Sequence, residues 1–220
     1  RPGSGFPGES GGVLPRPARW SGSSKTTMSY GYGLSVTPLQ IATAYSALGN
    51  GGRLIPPTFV KGQHNEARQV VDAEVAKEVV AMMETVVTQG GAKQAAVLGY
   101  HVAGKTGTAR KAGPGGYERG HYNALFAGVV PASNPRFATV IVINDPQAGK
   151  YYGGLVSAPV FHNVMDGALR LMDVPPDDIQ SWLTAQQSGK TGHSASVLPT
   201  PPADAVLPAD AAAAFAAPVP

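Results

Sequence analysis

Three β-branched and apolar stretches, residues 100–110, 123–130 and 136–144, follow one another with only loop chemistry between them. The second and third are separated by Pro131-Ala132-Ser133-Asn134-Pro135, a five-residue connection that reads as a hairpin. Residues 111–120, with Gly113-Pro114-Gly115-Gly116, read as the loop between the first and second. Consecutive strands joined by loops make an antiparallel meander, which must bury its faces under helices. A three-stranded sheet with a fresh edge stands poorly alone. Further strands are therefore expected upstream of Arg1.

The helical signals flank that block. Thr37 suits an N-cap and Pro38 the first helical position. Ile41, Tyr45 and Leu48 recur on one face, and Gly49-Asn50-Gly51-Gly52 ends the helix. A second helix is predicted from Asp72 to Gln89, stopped by Gly90-Gly91. Its expected buried stripe is Val75, Val79, Met82 and Val86, with the pair Met82-Met83 in the core. A third is predicted from Ser157 to Met172, capped by Ser157, with Pro159 in its first turn and Pro175-Pro176 closing it. Its expected buried stripe is Phe161, Val164, Ala168 and Leu171. Residues 1–35, rich in Gly, Ser and Pro, read as loop. Of residues 193–220, 16 of 28 are Ala or Pro, too few large apolar side chains to build a core. The predicted organisation is α+β over residues 1–176, a linker over 177–192 and a disordered tail over 193–220.

Composition removes several function classes. The chain has no cysteine, which excludes disulfides, thiolate metal sites and a thiol nucleophile. Its five histidines, at 64, 101, 121, 162 and 193, show no metal-ligand spacing and read as structural or surface residues. The net charge of +3 is diffuse, with no Lys/Arg run to line a nucleic-acid groove. Apolar runs such as residues 124–130 fall far short of the ~18–20 residues of a membrane span. The start at Arg1, without Met, reads as a segment of something longer.

Residues 99–106, Gly-Tyr-His-Val-Ala-Gly-Lys-Thr, match the phosphate-loop pattern G-x-x-x-x-G-K-[ST]. Val140-Ile-Val-Ile-Asn-Asp145 imitates the strand and acid that accompany it. A phosphate loop needs a helix that starts at Lys105-Thr106, and Gly107 and the Gly/Pro cluster at 113–116 oppose one. Pro146 makes Asp145 read as a turn residue. The rival reading puts Lys105-Thr106-Gly107-Thr108 on a strand, with Lys105 and Thr106 on opposite sides. Gly107 then removes a side chain where a ligand backbone could approach. A lysine and hydroxyls beside an open edge suit a peptide ending in a carboxylate, added as a further strand. Backbone N–H groups there suit a developing oxyanion. Tyr30 and Tyr32 read as packing in a Gly-rich turn. Tyr151-Tyr152, before Gly153-Gly154, suits either loop packing or a cleft wall.

K-T-G is the third signature motif of penicillin-binding proteins and serine β-lactamases. It occurs twice, and the copy at Lys190-Thr191-Gly192 has no strand period around it. Around the first copy, Ser29-Tyr-Gly-Tyr-Gly-Leu-Ser-Val-Thr-Pro-Leu-Gln40, Gly104-Lys-Thr-Gly-Thr-Ala109 and Asn144-Asp-Pro-Gln147 with Tyr152-Gly-Gly154 resemble class B penicillin-binding proteins. The similarity lies in the C-terminal part of their transpeptidase domain and covers residues 12–174. Residues 143–159 are most similar to the division-specific, FtsI-type members. The resemblance implies that Lys105 binds substrate and serves the proton network around a serine nucleophile. It implies that the Thr106 and Thr108 hydroxyls bind the terminal carboxylate beside Gly107, and that the Thr108 amide supplies half an oxyanion hole. Arg110, Tyr151 and Tyr152 match positions that border the cleft. No Lys here has Ser three residues before it, and no Asn has Ser two before it. The S-x-x-K and S-x-N motifs of the family are therefore expected upstream, and this stretch alone is expected not to acylate.

Further implications are peptidoglycan cross-linking on stem peptides ending in D-Ala-D-Ala, covalent binding of β-lactams, and no metal, nucleotide or other cofactor. The implied partners are division membrane proteins, including a septal glycosyltransferase, and no nucleic acid. The implied site is the periplasmic face of the inner membrane, reached by an N-terminal anchoring helix. The alternatives are a non-catalytic penicillin-recognising sensor or scaffold, and the phosphate-loop NTPase.

Overall fold

The computed structural model describes residues 2–113, 116–147 and 149–188. Its elements run α1 (Ser24–Ser29), α2 (Pro38–Gly49), β1 (Arg53–Leu54), β2 (Arg68–Gln69), α3 (Ala73–Thr88), β3 (Ala103–Gly113), β4 (Gly116–Val130), β5 (Phe137–Asn144), α4 (Gly153–Val156), α5 (Ala158–Leu171) and α6 (Ile179–Gln187). Single 3-10 turns lie at Pro17–Arg19 and Lys93–Ala95. The main sheet is the antiparallel meander β3-β4-β5, and β1 and β2 form a small separate ribbon. The fold is α+β, as the sequence indicates.

β4 is the centre of the molecule, because its side chains enter two cores on opposite faces. Phe126 and Val130 point into one, with Phe161, Met165 and Leu169 of α5 and Val87, Ala92, Ala95 and Val97. Val129 points into the other, with Ala103 of β3 and Val80 and Met83 of α3, against which Tyr45 and Leu48 of α2 also pack. Burial on both faces explains why residues 124–130 read as a continuous apolar run instead of an alternation. Phe126 meets Phe161 edge to face at 4.8 Å. Gly104 makes room for it, since a Cβ at that position would lie 2.4 Å from the Phe126 Cζ atom.

The helix starts follow the sequence. Thr37 and Gln40 form a reciprocal capping box at α2, with Pro38 at its first turn. The Asp72 carboxylate accepts from the Glu74 and Val75 amides at α3.

Several expectations are corrected. Residues 24–29 of the expected N-terminal loop form α1. The expected loop at 111–120 instead continues the β3 and β4 strands, with Ala112 paired to Tyr117 beyond a bulge after Arg110. The α3 stripe is rotated by one residue: Ala76, Val80, Met83 and Val87 are buried, while Val75 is 48 % and Met82 60 % exposed. Ala76 is wholly buried, so a small side chain belongs to the buried face alongside the larger ones. On α5 the buried set is Ala158, Phe161, Met165 and Leu169, and Val164 and Leu171 are exposed. Ser157 makes no side-chain cap; its buried hydroxyl donates to the Ala124 carbonyl at 3.0 Å, tying α5 to β4. The ribbon β1-β2 and helices α4 and α6 were not read from the sequence, and α6 falls within 177–192. The expected tail and the second K-T-G lie outside the described residues.

Candidate active site

The Gly104-Lys105-Thr106-Gly107-Thr108 run lies in mid-strand on β3. No helix starts there, which removes the phosphate-loop reading. β3 is the outer strand of the sheet, so one of its edges has no strand partner among the described residues. Lys105 is exposed, and its Nζ donates to the Thr106 carbonyl at 3.2 Å. Alternation places Thr106 and Thr108 together on the other face, below α4.

Two glycines let α4 approach that face. A Cβ at Gly153 would lie 2.1 Å from the Leu125 carbonyl oxygen and 2.7 Å from that of Gly107. A Cβ at Gly154 would lie 2.1 Å from the Gly91 carbonyl oxygen and 3.5 Å from the Thr106 methyl. The close approach brings the Gly153 N–H to the Thr108 Oγ1 at 3.2 Å. The Thr108 oxygen accepts in that bond, so its own O–H is turned toward other acceptors, and a carboxylate is such an acceptor. Gly107 also has a close neighbour across the ladder. A Cβ there would lie 2.8–3.0 Å from three Leu125 side-chain carbons, so Leu125, its partner across the ladder, fills the space.

Beyond Thr108 the site becomes aromatic and cationic. Arg110 pairs with Tyr122 of β4. The Tyr122 ring stacks on Tyr151 at 4.3 Å and 12°, and Tyr151 lies 4.5 Å from Tyr152. The Tyr151 hydroxyl donates to that of Tyr152 at 3.3 Å. This bond, together with the neighbouring phenol, raises the Tyr151 pKa by favouring its protonated form. Tyr151 and Tyr152 thus pack on each other, and Tyr151 lies within reach of the Arg110 charge. Tyr30 and Tyr32 pack edge to face at 5.8 Å, and Tyr32 reaches Tyr117 of β4 at 5.5 Å.

Sequence reading missed Tyr122, His121 and Gly153. Asp145 is more than a turn residue: its carboxylate takes the His121 Nδ1 at 2.9 and 3.0 Å. That bond is the main reason the Asp145 carboxyl lies below the usual carboxylate range, with Lys111 adding to it. Among the described residues no group of three or more His, Asp or Glu is placed to hold a metal ion. No described helix is long and apolar enough to cross a membrane.

The profile of the family described as "Penicillin binding protein transpeptidase domain" matches residues 1–166. The chain belongs to this family. Among relatives of this penicillin-binding transpeptidase segment, the peptidoglycan D,D-transpeptidase FtsI of Escherichia coli K12 is 47 % identical over 197 residues, 86 % of this chain and 34 % of that protein. The probable peptidoglycan D,D-transpeptidase PbpC of Pseudomonas aeruginosa is 44 % identical over 178 residues, covering 80 % of this chain and 32 % of that one. The chain thus spans about a third of the length of these relatives. The transpeptidase domain of Burkholderia pseudomallei penicillin-binding protein 3 superposes with a TM-score of 0.73 at 41 % identity, covering 80 % of this chain and 54 % of that domain. Penicillin-binding protein 3 of Mycobacterium tuberculosis, solved in complex with ampicillin, gives 0.74 at 36 % identity, covering 80 % of this chain and 44 % of the other. These likenesses bear out both the family and the fold class expected from the K-T-G strand and its flanking motifs.

Proposed function

We propose that residues 1–176 are the C-terminal portion of an FtsI-type peptidoglycan D,D-transpeptidase domain, followed by a linker at 177–192 and a low-complexity tail at 193–220. The observation that carries this reading is the Thr108 hydroxyl, held by the Gly153 amide with its own O–H available, on the outer strand that also carries Lys105 and Thr106. The substrates are stem peptides ending in D-Ala-D-Ala, and β-lactams react as their mimics. A serine supplied upstream attacks the penultimate carbonyl carbon. The C–N bond to the terminal D-Ala breaks, and that amine leaves with a proton. A second peptide's amine then attacks the acyl-enzyme and regenerates the serine.

In this reading the residues here bind and stabilise. The Thr106 and Thr108 hydroxyls donate to the terminal carboxylate, and the Lys105 ammonium adds charge and serves the serine's proton network. Gly107 keeps the strand flat enough for a ligand backbone, and the Thr108 amide faces the developing oxyanion, where a fixed donor acts most strongly. Arg110, Tyr151 and Tyr152 line the cleft beyond the carboxylate. The protein acts on the periplasmic face of the inner membrane, anchored by an N-terminal helix, alongside division membrane proteins that include a septal glycosyltransferase.

The test is stopped-flow acylation by labelled penicillin in the complete protein that carries this chain. Lys105→Ala is expected to slow acylation by on the order of 10²–10³ with the fold retained. Lys190→Ala, in the second K-T-G, is expected to leave it unchanged. Sensitivity at Lys190 instead, or micromolar ATP binding by the unmodified protein, overturns the assignment. Acylation without turnover of a stem-peptide thioester assigns the protein as a sensor.

A further inference from the structure

The connection between β5 and α4 returns at both ends to one dipeptide of β4, His121-Tyr122. At its start, the Asp145 N–H donates to the Tyr122 carbonyl at 2.8 Å, and the Asp145 carboxylate holds the His121 Nδ1 through both oxygens. At its end, Tyr151 lies flat on the Tyr122 ring. Alternation sends the His121 and Tyr122 side chains to opposite faces of β4, so the dipeptide grips the connection from both sides. Asp145 has a φ of +54°, a left-handed conformation uncommon outside glycine that its surroundings support here. Here those surroundings are the Tyr122 carbonyl and the His121 ring, with the Gln147 side-chain amide donating to the Asp145 carbonyl at 3.0 Å. A carboxylate only accepts, so the Nδ1 of His121 carries the proton.

We infer that His121 is a positioning residue: through Asp145 it fixes where the β5–α4 connection begins, and so sets Tyr151 and Tyr152 against the Thr108 strand. The inference rests on the reading of that strand as the substrate edge. His121 touches no substrate in this arrangement. Its influence is on how well the aromatic rings are placed before a ligand arrives, and binding is where pre-placed rings count.

The experiment uses the complete protein and a fluorescent penicillin, with the half-saturating concentration and the limiting acylation rate measured separately. His121→Ala is expected to raise the half-saturating concentration by on the order of tenfold while the limiting rate changes less than about twofold. Its tyrosine near-ultraviolet circular dichroism is expected to fall. His121→Asn places an amide N–H near the position of Nδ1 and is expected to restore both readings. Asp145→Ala is expected to match His121→Ala, and the double variant to be no worse than either single one, since both break one contact. Lys105→Ala is measured alongside. If it acylates normally, the strand reading fails and takes this inference with it. If it is impaired while His121→Ala binds like the unmodified protein, or while His121→Asn is as poor as His121→Ala, the positioning role alone is overturned.

Discussion

Replacing Gly153 by Ala tests whether the close approach of α4 to the β3-β4 ladder is what organises Thr108. The added methyl would start 2.1 Å from the Leu125 carbonyl oxygen and 2.7 Å from the Gly107 carbonyl oxygen. Both obstacles are main-chain atoms of the sheet centre and cannot rotate away. Relief therefore requires α4 to lift by roughly an ångström, in a region packed to interior density. The Gly153 N–H to Thr108 Oγ1 bond, at 3.2 Å, is already at the long end of the range and does not survive such a lift. Overpacking of this kind costs about 1–3 kcal/mol, and a lost hydrogen bond about 1 kcal/mol more. The expected total is ~2–4 kcal/mol by urea unfolding of the complete protein. Gly107→Ala is the internal comparison, because its obstacle is the half-buried Leu125 side chain, which can swing aside at about 1 kcal/mol. Thr108→Val breaks the same bond from the other side, so its cost combined with that of Gly153→Ala is expected to be less than the sum. A Gly153→Ala protein as stable as the original, acylating at the original rate, refutes the reasoning.

Two further outcomes follow from the geometry. Gly167 lies in α5 with no atom within 4 Å of a built Cβ, so Gly167→Ala is expected to stabilise by about 0.5–1 kcal/mol in thermal or urea unfolding. The Asp145 carboxyl is depressed by its His121 bond, so what that pair contributes is complete above the ordinary aspartate value of about 3.9 and is lost as pH falls through the lower folded value. Carboxyl NMR titration is expected to show Asp145 below that ordinary value and to return it toward normal in His121→Ala; an unshifted carboxyl in the unmodified protein refutes the pairing.

Local chemistry was legible wherever neighbours in sequence decide the outcome. Thr37-Pro38 and Asp72 start their helices because a cap needs only residues within one turn. The three strands and their order were legible from apolar runs and the short 131–135 connection. Helix rotation was not, because it depends on what lies opposite. Ala76 and Ala158 are fully buried, and a reading that ranks side chains by size passes over alanine. The 111–120 stretch failed for a related reason. Gly-rich sequence signals a turn, but the ladder resumes beyond the bulge, where Ala112 meets Tyr117 and Gly113 meets Gly116.

The site divides along the same line. Lys105, Thr106 and Thr108 were legible because they form one short motif, whereas Tyr122 joins it only through cross-strand pairing with Arg110, and His121 only through its contact with Asp145. The glycines of the motif show how far such pairing reaches. Leu125 places its side chain over Gly107 on one face of the ladder, while its carbonyl, with that of Gly107, leaves no room for a Cβ at Gly153 on the other. Gly104 is set by Phe126, the next residue of β4. Each glycine of Gly-Lys-Thr-Gly, and the first of Tyr-Gly-Gly, is thus fixed by Leu125-Phe126, a dipeptide that belongs to neither motif. A larger residue at Gly104 or Gly153 displaces β4 or α4, and one at Gly107 displaces the Leu125 side chain, before it meets a ligand. Substitutions there test the scaffold first and binding second, and Lys105 and His121, which are exposed, are the cleaner probes of the site.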